Sequence, residues 1–254
     1  MIKLQLLVTE FGAKLYGIWS ILAFTLVTVL TVGLLAVIPG EDNRRKLVRT
    51  SARAWLRLAG AVPRVTGIEH LPDTPCVVVA NHASYLDGVI LTAVLPPRFT
   101  FVIKKEMSRV PFANFLLRRV GSEFVDRSDQ HRSATDARRI LRLAARQQSI
   151  AFFPEGTFTV EPGLRRFHHG AFVAALKGGL PVVPVVIRGS RQMLPAGRLL
   201  PAPSQIRVIV KTAVDAHDSG ASSEDLMHTC RRSILEDLNE PEHVSSNQSL
   251  AAES

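Results

Sequence analysis

The fold is decided by the stretch Cys76-Val77-Val78-Val79-Ala80-Asn81-His82-Ala83-Ser84-Tyr85-Leu86-Asp87. Its first five residues have the length and the β-branched content of a buried strand. A histidine and an aspartate follow just past the end of that strand, where open α/β sheets place their chemistry. The stretch therefore predicts a strand of an α/β sheet with polar chemistry at its carboxyl end.

The spacing of His82 and Asp87 limits how they can meet. On a regular helix, residues five apart point about 140° away from each other, so contact requires a turn or the first turn of a helix. A carboxylate that holds one imidazole nitrogen leaves the other free to act as a base. Alternatively, His82 is a polar turn residue and Asp87 caps a helix. The motif alone leaves both interpretations open.

Apolar runs and helical patterns alternate on both sides of this stretch. Predicted strands are 77–80, 99–103, 122–125, 150–153, 182–187 and 206–210; predicted helices are 87–94, 111–119, 133–147, 170–177 and 223–238. Strands interleaved with helices predict one α/β domain around a mostly parallel, partly mixed sheet. We expect this domain to cover residues 61–240, followed by a disordered tail at 241–254.

Charge and cysteine content restrict the partners. The 254 residues carry a net charge of +9, which favours an anionic partner such as nucleic acid, a membrane surface or an anionic substrate. The chain has two cysteines, Cys76 and Cys230. Neither a disulfide framework nor a metal site is expected from two cysteines so placed, and a reducing compartment is favoured.

The N-terminus favours a membrane over nucleic acid. Residues 17–38 contain no charged side chain and are long enough to cross a hydrocarbon core. A cleaved signal peptide fits poorly because the apolar run is too long and no small-x-small site follows it. Residues 1–60 are therefore expected to form a pair of membrane-associated helices, as one span plus an interfacial helix or as a hairpin in one leaflet.

The second helix of that pair, at 43–60, is basic. Arg45, Arg49, Arg53 and Arg57 repeat every four residues along one face. With Trp55 beside the apolar face, the pattern predicts contact with an anionic membrane interface. Because basic residues are far denser after the apolar run than before it, the main domain is expected on the cytoplasmic side of the cell inner membrane.

Two further strand ends carry polar groups. Gly121-Ser122-Glu123-Phe124-Val125-Asp126-Arg127 ends with an acid and a guanidinium suited to phosphate. As an alternative, Asp126 and Arg127 pair with each other at the surface. Phe153-Pro154-Glu155-Gly156-Thr157 ends with a glycine that lets backbone N–H groups approach a ligand.

Together these blocks resemble the glycerolipid acyltransferase family, that of bacterial 1-acylglycerol-3-phosphate acyltransferases. The resemblance covers about Thr66 to Arg188 and rests on the family's blocks Asn-His-x4-Asp, Gly-x-x-Phe-x-Asp-Arg, Phe-Pro-Glu-Gly-Thr-Arg and a proline-containing apolar strand, here Leu180–Val185. Four blocks in order are far more specific than any one of them.

The resemblance implies roles for particular residues. His82 would be the general base that removes a proton from a lysolipid hydroxyl, and Asp87 would orient its imidazole. Substrate binding would fall to Asn81, Lys104, Lys105, Arg127, Glu155, Gly156 and Thr157. Within that set Arg127 would bind the acceptor phosphate, and the Gly156 amide is a candidate oxyanion donor. The acyl donor would be acyl-CoA or acyl carrier protein, with no cofactor, and the first acceptor to consider is 1-acylglycerol-3-phosphate.

The third block departs from the family pattern. Phe158 stands where the family usually has an arginine associated with the acceptor phosphate, and His168 and His169 stand where lysines are common. We therefore keep open a different acceptor, such as a lysophospholipid or a lyso-aminolipid. Arg165 and Arg166 are candidates to restore the missing cations.

Three other functions compete with this one. A thioesterase or lipase is less well supported because no Gly-x-Ser-x-Gly elbow is present. A non-catalytic lipid-binding protein would leave the intact His–Asp pair unexplained. A nucleic-acid partner, which only the charge suggests, is not expected beside the apolar N-terminus.

Overall fold

A computed structural model describes residues 2–126, 130–216 and 222–242 of the chain. The helices are α1 (Ile2–Val37), α2 (Glu41–Leu58), α3 (Asp87–Val94), α4 (Pro111–Arg119), α5 (Gln130–Ala145), α6 (Gly170–Gly178), α7 (Ser190–Met193) and α8 (Ser223–Leu238). The strands are β1 (Arg64–Thr66), β2 (Val77–Ala80), β3 (Thr100–Lys104), β4 (Glu123–Val125), β5 (Ile150–Phe152), β6 (Val182–Arg188) and β7 (Arg207–Val210).

The seven strands form a single sheet in the order β1-β7-β6-β2-β5-β3-β4. All neighbouring pairs are parallel except β6 and β7, which are antiparallel. The predicted α/β class with a mostly parallel, partly mixed sheet is therefore confirmed. Strand β1 was missed, because its three exposed residues offer no apolar run.

Strand β2 lies in the middle of the sheet and is buried along its whole length. Val78 and Ala80 belong to the core on the side of α2 and α3, whereas Val77 and Val79 belong to the core on the side of α5, α6 and α8. The alternation follows from the pleat, which points successive side chains to opposite faces. Covered on both faces, β2 presents only its carboxyl end to a ligand.

Helices α1 and α2 pack against each other and against the domain. The Trp55 indole N–H donates to the carbonyl of Ser20 at 3.0 Å, and its ring meets Phe24 edge to face. Gly17 lies against the segment at Leu200, where a Cβ atom would come within 2.9 Å of the Leu200 Cβ. Trp55 is thus a buried helix–helix contact, rather than the interfacial side chain that its position in the sequence suggested.

The arginines of α2 also have partners inside the protein. Arg53 and Arg49 donate to the carbonyls of Ala93 and Val94, in the last turn of α3. Arg45 donates to two backbone carbonyls and to the hydroxyl of Thr100. Cations suit this position, because the last carbonyls of a helix lack internal partners and carry the negative end of its dipole. Three of the four arginines assigned to a lipid surface thus fasten α2 to the sheet domain.

Much of α1 remains uncovered. From Glu10 to Val37 it is long and apolar enough to cross a membrane. An 18-residue stretch within this range has a mean hydropathy of 2.4, and 22% of that stretch is buried. Its exposed apolar side chains are Phe11, Leu15, Ile18, Trp19, Ile21, Leu22, Phe24, Leu26, Val29, Leu30, Leu34 and Val37. The core helix of a water-soluble protein would hide most of these side chains.

Candidate active site

The turn after β2 brings His82 and Asp87 into contact. Helix α3 begins at Asp87, so its carboxylate folds back over the turn, and Oδ2 lies 2.9 Å from His82 Nδ1. The same oxygen accepts the backbone N–H groups of Ala83 at 2.7 Å and Ser84 at 2.8 Å. Asp87 therefore both closes the turn, as in the capping interpretation, and holds the imidazole, as in the catalytic one.

This contact determines the imidazole tautomer. Asp87 is fully buried, and an ionised carboxylate can only accept hydrogen bonds, so Nδ1 of His82 carries the proton. The other nitrogen, Nε2, is then left with a free lone pair. His82 is part of the wall of a large cavity, so its imidazole can meet a ligand there.

Aromatic rings surround the imidazole. Phe153, at the end of β5, stacks on it with ring centroids 4.3 Å apart. Phe158 meets it edge to face at 4.5 Å, and Tyr85 meets Phe158 at 4.7 Å. Such packing fixes the ring plane and limits the access of water to it. The replacement at position 158 thus puts an apolar ring directly against the predicted base.

Glu155 ties two loops together beneath the site. Its Oε1 accepts the backbone N–H of His82 at 2.6 Å, and its Oε2 accepts that of Arg165 at 2.8 Å. Burial raises the pKa of the Glu155 carboxyl to about 7, although both N–H donors oppose that shift. In this arrangement the carboxylate holds the backbone that carries the base.

The remaining residues of the first and third blocks are also held by the backbone. Asn81 bonds the N–H and the carbonyl of Ile187, which joins the ends of β2 and β6. Gly156 takes a positive φ of 73°, and its N–H donates to the carbonyl of Phe153 at 3.0 Å. The amide suggested as an oxyanion donor is thus engaged within its own turn. Thr157 lies on the cavity wall.

Lys104 and Lys105, which precede the second block in the chain, form ion pairs with acidic side chains. Lys105 contacts Asp126 at 2.9 Å, and Lys104 contacts Glu106 at 3.3 Å. Both lysines are about half exposed, and Lys104 borders the cavity. Arg127, the predicted phosphate ligand, lies outside the described residues.

A cavity of about 830 Å³ extends from His82 along α3. Tyr85, Val89 and Thr92 line it from α3 and the turn before it, and side chains of α1 and α2 also form part of its wall. Most of its lining is apolar. A long aliphatic chain attached to a group beside His82 fits this shape, whereas a compact polar substrate would leave the apolar walls uncovered.

Sequence reasoning did not place Phe153, Tyr85 or the α1–α2 part of the cavity at the site. Only the strand-end position of Phe153, next to the glycine turn, offered a signal. No group of three or more His, Cys, Asp or Glu side chains within the described ranges is arranged to hold a metal ion.

Comparison with known proteins gives a consistent result. A family model described as "Acyltransferase" matches residues 62–188, half of the chain. A chloroplastic 1-acyl-sn-glycerol-3-phosphate acyltransferase of Brassica napus is 30% identical over 85% of this chain and 63% of its own length. Lyso-ornithine lipid O-acyltransferase of Pseudomonas aeruginosa is 34% identical over 77% of this chain and 73% of its own length.

A solved structure has the same fold. The 1-acyl-sn-glycerophosphate acyltransferase PlsC of Thermotoga maritima superimposes with a TM-score of 0.76, covering 90% of this chain and 95% of that one, at 20% identity. The chain spans 63% and 66% of the lengths of its plant relatives from Brassica napus and Arabidopsis thaliana, just under two thirds.

Proposed function

The chain belongs to the glycerolipid acyltransferase family, and from that membership we propose that it transfers a fatty acyl group from a thioester to the free hydroxyl of a lysoglycerolipid. The first acceptor to consider is 1-acylglycerol-3-phosphate, which would become phosphatidic acid. The observation that carries the proposal is the 2.9 Å contact between His82 Nδ1 and Asp87 Oδ2 on the wall of a long apolar cavity.

The chemistry needs one base and no protein nucleophile. Nε2 of His82 takes the proton of the lysolipid hydroxyl as its oxygen attacks the thioester carbonyl carbon. The carbon–sulfur bond then breaks, the ester remains on the acceptor, and the imidazolium returns its proton to the leaving thiolate. Asp87 stabilises the imidazolium during this exchange and keeps Nδ1 protonated throughout.

The aromatic surroundings favour transfer over hydrolysis. The His82 side chain is 19% exposed and is covered by Phe153 and Phe158. A lipid that brings its own apolar chains displaces the remaining water from these rings, whereas a bare water molecule gains nothing from them. This difference argues for the acyltransferase over the thioesterase alternative.

The apolar cavity would hold an acyl chain. Its walls come from α1, α2, α3, α4 and β3, so the chain would run from the reacting carbon toward the α1–α2 pair. Acyl-CoA and acyl carrier protein both deliver such a chain as a thioester, and either one serves as the donor in this proposal.

Membrane association follows from the same helix. The exposed apolar side of α1 would dissolve in the lipid that also holds the lysolipid acceptor. The basic residues that follow α1 support a cytoplasmic position for the sheet domain, at the inner membrane of the cell. Substrate chains would then reach the cavity without crossing water.

One observation favours a second acceptor. Phe158 supplies no charge beside the base, where a phosphomonoester would gain from a guanidinium. The relative from Pseudomonas aeruginosa carries the name of an acyltransferase for lyso-ornithine lipid. A lyso-aminolipid acceptor is therefore the alternative to 1-acylglycerol-3-phosphate.

The test is an acceptor panel read by mass spectrometry. Purified full-length protein in detergent or vesicles is given acyl-CoA or acyl carrier protein thioester with lysophosphatidic acid, other lysophospholipids or lyso-ornithine lipid. We expect a diacyl product with wild-type protein and none with His82→Ala. The control is His228→Ala, which removes an exposed histidine of α8. Free fatty acid as the main product, or full activity of His82→Ala, would refute the proposal.

A further inference from the structure

The loop that carries Phe158 has no regular secondary structure, so its position must come from tertiary contacts. Residues 158–165 connect the third block to the segment before α6 and form neither a helix nor a strand ladder. Phe158 nevertheless lies at a defined distance from the predicted base. Several contacts that place this loop come from two parts of the chain outside the family-matched residues 62–188, namely Arg191 of α7 and the residues that follow α8.

An ion pair holds the middle of the loop. Arg191, in α7, uses Nε and Nη2 to bind the carboxylate of Glu240, with contacts of 2.9 and 3.0 Å. Its Nη1 donates to the carbonyl of Thr159, the residue after Phe158, at 2.7 Å. Glu240 Oε2 in turn accepts the N–H of Gly163 at 2.9 Å. The Arg191–Glu240 pair thus hydrogen-bonds to the loop backbone at two residues, Thr159 and Gly163.

Further hydrogen bonds hold the next residue of the loop, Leu164. The N–H of Leu164 donates to the carbonyl of Pro241 at 3.0 Å, and Arg231 donates to the carbonyl of Leu164 at 3.1 Å. The side chains of Arg191 and Glu240 are 11% and 16% exposed. A forked, largely buried guanidinium–carboxylate contact is far less screened than a surface ion pair.

Both ends of the loop lead to the base. At one end the ring of Phe158 contacts the imidazole of His82. At the other end the N–H of Arg165 shares the Glu155 carboxylate with the N–H of His82. A shift of the loop therefore moves the wall of the site and the backbone of the base together.

We propose that Arg191 and Glu240 are positioning residues, which hold residues 158–165 against His82 and so set the acceptor side of the site. This inference rests on the proposed acyl transfer, and it adds that acceptor recognition depends on the segment after α8. Neither residue lines the cavity, so both would act on the lipid indirectly, through Phe158 and its loop and, for Arg191, also through its charge near Glu155.

The test separates the acceptor from the donor. We expect Glu240→Gln and Arg191→Met each to raise the KM for the lysolipid by roughly tenfold or more, with kcat lowered as the loop drifts. The donor KM should stay within about twofold. Since the two residues act as one contact, the double variant should be little worse than the more damaging single variant. Arg191→Lys keeps the charge but loses the fork, so it should fall between wild type and Arg191→Met.

A matched control uses an ion pair at the end of α8, close in sequence to Glu240. Lys211 forms ion pairs with Glu236 and Asp237 of α8. We expect Lys211→Met to leave both KM values unchanged. Equal effects of Lys211→Met and Glu240→Gln on the acceptor KM, additive single variants, or an equal rise in the donor KM would each overturn the inference.

Hydrogen exchange provides a measurement that is independent of activity. In Glu240→Gln the amides of 159–165 should exchange faster while the strand amides of β2 and β6 stay protected. Unchanged exchange in the loop, or a loss of protection spread over the whole sheet, would refute a local positioning role. If the wild-type protein acylates no lysolipid, the proposed function fails, and exchange alone still decides whether this pair holds the loop.

Discussion

Phe158 meets the imidazole of His82 edge to face, with the ring centroids 4.5 Å apart. The same ring contacts Tyr85, which is 61% exposed and lines the cavity. In the proposed reaction, an acceptor head group would approach the predicted base past position 158. We therefore expect the residue at 158 to influence which head groups are favoured, while the His–Asp contact stays as it is.

Exchanging this ring for a cation should change acceptor preference. In Phe158→Arg, a guanidinium beside His82 can form charge-assisted hydrogen bonds to phosphate, each worth about 1.5–3 kcal/mol. We expect kcat/KM for lysophosphatidic acid to rise relative to that for lyso-ornithine lipid by roughly tenfold or more. Competition between the two acceptors in mixed vesicles measures this ratio directly.

The control for this change is Phe158→Leu, which keeps the position apolar and removes only the ring. It should lower kcat for both acceptors and leave their ratio unchanged. If the Arg and Leu variants show the same ratio of kcat/KM for the two acceptors, position 158 does not discriminate between their head groups.

Asp87→Asn should abolish most of the activity while the protein stays folded. The amide oxygen can still accept the N–H groups that Asp87 Oδ2 accepts, and the amide nitrogen can replace Oδ1, which has no hydrogen-bond partner among the described residues. The negative charge that stabilises the imidazolium is lost. We expect kcat to fall roughly 10²–10⁴-fold with little change in either KM. Near wild-type kcat in a folded variant would contradict the assigned role.

Glu155 should make stability depend on pH. Its pKa is raised from 4.5 to about 7 in the folded protein, so between these values the folded state holds a proton that the unfolded state has released. Its contribution is therefore full below pH 4.5 and is lost as the pH rises through about 7. Denaturant unfolding across this range should show stability falling with pH.

Glu155→Gln provides the comparison. The amide oxygen can accept one of the two backbone N–H groups, but the amide NH2 then faces the other N–H, and two donors cannot bond to each other. This loss should destabilise the fold by about 1–3 kcal/mol. It should also remove this part of the pH dependence. An identical pH profile in the variant would assign the dependence to another group.

Filling the cavity should shorten the preferred acyl chain. Val89 faces the cavity from α3, and Val89→Phe adds a ring to its wall. We expect the ratio of kcat/KM for long over short acyl donors to fall by roughly tenfold or more. The matched control is Val62→Phe, at a position that is 57% exposed and away from the cavity. A series of acyl-CoA chain lengths tests both variants, and equal profiles would place the acyl chain elsewhere.

The elements that the sequence predicted best are those encoded by neighbouring residues. The bounds of α3, α4, α8 and β2 agree with the prediction, because each has either a clear apolar period or an unbroken apolar run. The two short elements β1 and α7 were missed. They carry too few residues for a period, and pairing with β7 or docking beside the loop stabilises them instead.

For charged side chains, the sequence indicates where they lie on a helix but not what they contact. The period of Arg45, Arg49 and Arg53 correctly indicates one helix face, but a period does not say what that face contacts. Only the folded chain brings the last turn of α3 beside it, where free carbonyls accept these cations. The same holds for Trp55, whose partner Ser20 lies 35 residues away.

The sequence by itself determined the α/β fold, the strand-end position of the His–Asp pair and the family, since local apolar patterns and short motifs carry that information. The tertiary structure decided that Phe158 lies against the base, that Glu155 joins two loops beneath it, and that Arg191 and Glu240 hold the loop between them. These contacts join residues that are far apart in the chain. Their distances depend on the packing of the whole domain, which no local pattern records.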